Sequence, residues 1–244
     1  MRQGKEITEL TVKHLNEKIN FVYPPFGPNS YFVIDKQIQG ANLKRQTLAE
    51  MVSLVHDILN VSDEAYPMEE IKKLMESRFI EYQGVSGRFA GHSMYCFQGV
   101  LYVLNEEVYI QDLPEVNDCV GIGPFGVKEG DVVMSKSNLV EKLKGGDDSV
   151  RFIPFEFKIG EQTAGEIARN PLVIALAGKE GAEKLAEVSR LHDLRPGVSC
   201  FENKYVPYEI RTVIALNSDS ITRKLDILAN INGDAYHACA FGML

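Results

Sequence analysis

Apolar residues in this chain follow two different periods, and the change from one to the other sets the fold class. From Thr47 to Leu59 they fall at Leu48, Met51, Val52, Val55, Ile58 and Leu59, the spacing of one helical face, and Thr47-x-x-Glu50 forms a capping box at its start. Past a turn-forming stretch at Ser62, Asp63 and Pro67, the positions Met68, Ile71, Leu74, Met75 and Phe79 repeat that spacing and predict a second amphipathic helix. From Met94 the period drops to two. Val100–Leu104 and Val108–Ile110, separated by Asn105, Glu106 and Glu107, predict a short antiparallel hairpin.

Further strands are expected at Asp131–Met134 and Val150–Phe157, with a short helix at Asn138–Leu143 ended by Gly145 and Gly146. Thr163-x-x-Glu166 is a second capping box, and Asn170-Pro171 has the form of an N-cap followed by proline at the first helical position. This favours a helix over Pro171–Ala177. A buried strand there, turning at Gly178 into the amphipathic helix Glu180–Leu191, is the competing reading. Near the end Leu225, Ile227, Ala229 and Ile231 alternate, and Asn232-Gly233 predicts a tight turn into Asp234–Met243. Val206–Leu216 adds another strand. Tyr23-Pro-Pro-Phe-Gly-Pro28 reads as a rigid loop, since its prolines remove backbone donors, and a short strand is expected at Tyr31–Ile34. Helices grouped apart from strands predict an α+β fold: a single domain, 1–244, with helices packed on a largely antiparallel sheet that ends in a C-terminal β-hairpin.

Composition narrows the function classes. The 26 basic and 34 acidic residues leave a formal charge of −8, which argues against general affinity for nucleic acid. The longest apolar run, Leu172–Ala177, is too short to span a bilayer, so no membrane segment is expected. The first residues are charged where a secretory signal would be apolar. Cys96, Cys119, Cys200 and Cys239 form no C-x-x-C pair and fit reduced thiols, hence a cytoplasmic location.

Phe155-Glu156-Phe157-Lys158 alternates, which on a strand would place Glu156 and Lys158 on one face. With Asp131 as a second acid, or Asp147 or Asp148 in its place, this resembles the acid-x-lysine dyad of restriction-endonuclease-like nucleases. The resemblance implies a divalent metal held by Asp131 and Glu156, with Lys158 positioning or activating the attacking water. Pro154 and the balance of charge between Lys128 and Lys158 count against it.

A two-residue turn at Asn232-Gly233 would bring Asp226, His237 and Cys239 together for thiol chemistry, or for zinc with His92 and Cys96. Gly121–Gly126 has the letters of a dinucleotide fingerprint but leads into a strand, so it reads as a loop. Gly178-Lys-Glu-Gly181, ahead of a helix, is the better anion site. The glycine-rich Gly84–Gly91, with Arg88, reads as a surface loop. These patterns specify no substrate or cofactor. A non-enzymatic binding or interaction protein, forming a homo-oligomer through an exposed sheet edge, ranks first, and the metal-dependent nuclease second.

Overall fold

The computed structural model describes residues 8–60, 92–103, 107–116, 132–201, 209–219, 222–231 and 238–244. Among these, eleven strands form one sheet: β1 (Thr8–His14), β2 (Glu17–Asn29), β3 (Lys44–Arg45), β4 (His92–Val103), β5 (Glu107–Asp112), β6 (Val150–Pro154), β7 (Gly160–Glu161), β8 (Arg195–Cys200), β9 (Glu209–Asp219), β10 (Lys224–Ile231) and β11 (Ala238–Met243). The order is β1-β2-β11-β4-β9-β10-β8-β7, with β3 on β11, β5 on β4 and β6 on β5. The helices are α1 (Tyr31–Gly40), α2 (Leu48–Asn60), α3 (Lys136–Lys144), α4 (Ala164–Ile167) and α5 (Pro171–Leu191).

Alternation along the central strands builds two cores. Met94, Cys96, Val100 and Tyr102 of β4, with Ile214 and Leu216 of β9, face the buried stripes of α2 and α5. Tyr95, Phe97 and Leu101, with Val213 and Ala215, face Tyr31, Ile34 and Ile38 of α1 and Leu139 of α3. The sheet is thus covered on both sides, and each fully buried aliphatic side chain contributes about 1.5–3 kcal/mol. The mixed helix and strand content bears out α+β, and among the described residues the sheet is mixed, with most strand pairs antiparallel and two parallel. β8 runs parallel to β10, and β11 parallel to β4.

The caps behave as their residues dictate. Glu50 Oε2 accepts from the Thr47 amide at 2.6 Å, Thr163 and Glu166 form a complete capping box, and the Asn170 side chain accepts from the Leu172 amide. Pro171–Ala177 is therefore helix. The helix resumes toward Leu191 after a break at Gly178, whose φ of 72° and ψ of 170° are not helical.

Several expectations are corrected. Tyr23–Pro28 is part of β2, between β1 and β11. The β11 register shifts between Val22 and Phe26, so the first two prolines sit where the described ladder is irregular. Tyr31–Ile34 opens a helix, its buried side at Tyr31, Ile34, Asp35 and Ile38 following helical spacing. The Asp131–Met134 strand reduces to a Val116–Val132 bridge among the described residues, and the strand from Val150 stops at Pro154. The C-terminal hairpin does not form. β10 has both edges filled, by β9 and β8, so β11 pairs instead with β2, β3 and β4. The helix expected at Met68–Phe79 and the segments Gly84–Gly91 and Gly121–Gly126 lie outside the described residues.

Candidate functional site

A bulge in β4 prepares the site. Cys96 pairs with Ile214 and Gly99 with the adjacent Val213, which leaves Phe97 and Gln98 without partners on β9. Gln98 is wholly buried. Its Oε1 accepts from the first amide of α2, Leu48, at 3.0 Å, and its Nε2 donates to Leu176 O at 2.9 Å and to Asp112 Oδ1 at 2.5 Å. One side chain thereby ties together the start of α2, the broken helix α5 and the end of β5. Arg151 on β6 completes the chain, donating from Nη1 to Asp112 Oδ2 at 2.7 Å and from Nη2 to Oδ1.

Above this network lies a cavity of about 240 Å³. Asp112 and Arg151 line it from the sheet, Thr47 from just before α2, Ala49 and Ser53 from α2, and Ile174–Gly178, Glu180 and Gly181 from around the break in α5. His14 and Leu15, at the turn between β1 and β2, close it. Two apolar side chains of its lining are open to solvent, Leu15 at 53% and Ile174 at 37% exposure, beside the half-exposed Glu180. Leu15 also has a φ of 52°, a left-handed conformation that costs a leucine about 1–2 kcal/mol.

The polar wall is ordered. Ser53 Oγ donates to Ala49 O at 3.2 Å and receives Lys184 Nζ at 3.0 Å. Its single hydrogen is thereby used, so His14 Nδ1, 3.0 Å away, is assigned as the donor to Ser53 Oγ. Lys184 also pairs with Glu180 at 3.0 Å, and this hydrogen bond holds the Glu180 carboxyl below its ordinary range.

The nuclease residues are placed differently. Asp131 lies outside the described residues. Glu156 and Lys158 lie beyond the end of β6 in an irregular segment, so the strand that was to present them side by side is absent; Glu156 is exposed. Lys158 Nζ donates to Glu166 Oε1 at 2.8 Å. Asp147 accepts from the Ser149 amide at 2.9 Å, a local turn contact.

The Lys158 bond, with the Thr163 amide and hydroxyl, holds the Glu166 carboxyl down to about 2 from an ordinary 4.5. A carboxyl with a lower pKa folded than unfolded takes up its proton more readily in the unfolded chain. Its stabilising contribution is therefore complete above about pH 4.5 and drains away as the pH falls toward 2. Acid unfolding followed by circular dichroism is expected to lose part of its steepness in that window in Glu166→Gln, while stability at pH 7 falls slightly.

The thiol reading is also corrected. Asp226 stands between Asn217 and Gly197, whereas Cys239 stands opposite Met94, with β4 and β9 separating the two strands. His237 lies outside the described residues. Burial pushes the Cys239 thiol up to about 12 and raises that of Cys96 as well, the reverse of nucleophile activation. Among the described residues, no group of three or more His, Cys, Asp or Glu is placed to hold a metal. No described helix is long and apolar enough to cross a membrane.

Of Gly178–Gly181, which the sequence singles out, Gly178, Glu180 and Gly181 line the cavity. Sequence reasoning misses Gln98, Asp112, Arg151 and Leu15. A glutamine between Phe97 and Gly99 carries no periodic signal, and the other three meet only through tertiary pairing.

No protein-family model matches the sequence, and no curated protein matches it. Among solved structures, one described as "Accommodation of massive sequence variation in Nanoarchaeota by the C-type lectin fold" superposes with a TM-score of 0.56. The match covers 95% of this chain and 99% of that one, at 10% identity. This chain resembles the C-type lectin fold. At that identity the likeness concerns the fold alone, and it extends over nearly the whole of both chains.

Proposed function

We propose that the chain is a binding protein that holds a small molecule in the cavity beneath the β1–β2 turn, on a C-type-lectin-like scaffold. The observation that carries this reading is the cavity's make-up: apolar side chains open to water at Leu15 and Ile174 combined with polar groups fixed by their own hydrogen bonds at Arg151 and Asp112. Ligand sites combine apolar walls with a few placed polar groups in this way. The solved structure with a similar fold is described as an accommodation of massive sequence variation by the C-type lectin fold, which suits a scaffold whose fold survives at 10% identity. The nuclease at Asp131, Glu156 and Lys158 is not preferred, because Lys158 is committed to Glu166 and Glu156 has lost the strand that aligned it.

Thermal-shift measurements against a set of small acids and their neutral analogues test the reading, with wild type and Leu15→Gly compared. Glycine relieves about 1–2 kcal/mol of left-handed strain and costs about 0.5–1 kcal/mol in backbone freedom, so the variant is expected to melt slightly higher. Removing half-exposed apolar contact at the rim is expected to weaken the ligand by about fivefold, on the order of 1 kcal/mol. A ligand that stabilises wild type and stabilises Leu15→Gly equally would contradict the site, as would a set in which nothing shifts wild type.

A further inference from the structure

We propose that the outer edge of β1 is a docking edge for a second copy of this chain, kept shut by Asp57 and Lys184. This is independent of what the cavity holds. β1 stands at one end of the sheet order, and among the described residues β2 alone pairs with it. An antiparallel neighbour takes the N–H and C=O of every second residue, so the residues between turn theirs away. Lys13 is one of these: its amide donates to Asp57 Oδ2 at 2.8 Å, and its carbonyl accepts from Lys184 Nζ at 3.3 Å. The ladder to β2 runs from Thr8 to His14 without a register shift, so Thr11 and Glu9 turn the same groups outward.

Both plugs are themselves held. The Lys184 ammonium has three donors and gives the other two to Ser53 Oγ and Glu180 Oε1, each at 3.0 Å. Asp57 Oδ1 lies 3.3 Å from His56 Nδ1. Side chains from α2 and α5 thus do at Lys13 what a neighbouring strand would do. The occupant that fits this edge is the same edge turned about a two-fold axis through Thr11. Antiparallel pairing of Thr11 with Thr11 sets Glu9 opposite Lys13 of the other copy, and Lys13 opposite its Glu9. Glu9, Thr11 and Lys13 are exposed and share one face of the strand, so two cross-strand ion pairs would flank a threonine pair. On the opposite face Leu10 would stand beside Val12 of the other copy. With the plugs in place only the two Thr11 bonds can form, because each Glu9–Lys13 step needs the Lys13 amide and carbonyl that Asp57 and Lys184 occupy.

Analytical ultracentrifugation of the full chain tests the proposal, with circular dichroism to show that each variant is folded. Wild type is expected to sediment as a monomer. Asp57→Ala combined with Lys184→Met releases both Lys13 groups while keeping most of the lysine stem, and it is expected to form a dimer. Adding Glu9→Lys sets like charges face to face and is expected to weaken that dimer by about tenfold. Adding Lys13→Glu as well exchanges the two charges and is expected to restore it. Should the double variant not fold, Asp57→Ala alone releases the Lys13 amide and is expected to dimerise where wild type does not.

A wild-type dimer overturns the closure. A folded variant with its plugs removed that stays monomeric overturns the docking edge, as does a dimer indifferent to Glu9→Lys. Growth beyond two copies overturns it too, since a two-fold pair leaves no β1 edge open. None of these outcomes bears on the thermal-shift series, which decides the cavity separately.

Discussion

Replacing Gln98 by leucine is expected to lower the stability of the folded chain by about 3 kcal/mol. The two side chains are similar in size, so the loss is almost entirely one of hydrogen bonds. The Leu48 amide and the Leu176 carbonyl, both on buried residues, would each lose the Gln98 partner that now holds them. A buried polar group without a partner costs about 1–3 kcal/mol. Asp112 would keep Arg151 and contribute less to the loss. For a chain of 244 residues this corresponds to a melting temperature lower by about 6–12 °C. Gln98→Glu is expected to be worse than Gln98→Leu at neutral pH. It would retain an acceptor for Leu48 but set a second carboxylate against Asp112 and the Leu176 carbonyl. Chemical denaturation of the three proteins checks the order, and equal stability of Gln98→Leu and wild type would show that the β4 bulge does not organise the site.

Gly178→Val is expected to have the next largest effect and to act on the cavity as well. Gly178 combines a φ of 72° with a ψ of 170°, a region open essentially to glycine alone. An added Cβ would meet nothing within 4 Å, so the cost is one of backbone strain and not of crowding. That strain is on the order of 2–3 kcal/mol for a β-branched residue. The chain can relieve it only by changing the break in α5, and Ile174–Gly178 form one wall of the cavity there. Stability and ligand binding are therefore expected to fall together. Denaturation and ligand titration of this variant would contradict the account if stability fell while affinity stayed unchanged.

What can be read from the sequence is local. The caps at Thr163 and Asn170 depend on residues within four positions of one another and are found as expected, and at Thr47 the Glu50 half of the box is found. The hairpin of β4 and β5 is legible for the same reason, since the chain returns directly on itself from Val103 to Glu107. Strand partners brought together from distant parts of the chain are not. Asn232-Gly233 is a turn signal, but a turn signal cannot show that β8 and β9 already occupy both edges of β10. Proline at positions 24, 25 and 28 argues for a loop only if the ladder is regular, and β2 is irregular there. Pro154 is visible in the sequence as a flaw in the Glu156–Lys158 strand, and the strand ends on it.

The candidate site shows the same division. Gly178–Gly181 can be singled out because glycine before an amphipathic helix is a local pattern. Leu15, Ser53, Arg151 and Ile174 cannot, since they belong to four separate elements that meet only in the folded chain.

The most direct test is an amide-resolved NMR titration of the ¹⁵N-labelled chain with the compound that stabilises wild type most in the thermal-shift series. Saturable shifts of the Leu15, Arg151, Gly178 and Glu180 amides with one shared dissociation constant are expected, and no comparable shifts at Glu156 and Lys158. Saturable shifts confined to another surface, or none at these four amides, would contradict a ligand site in this cavity.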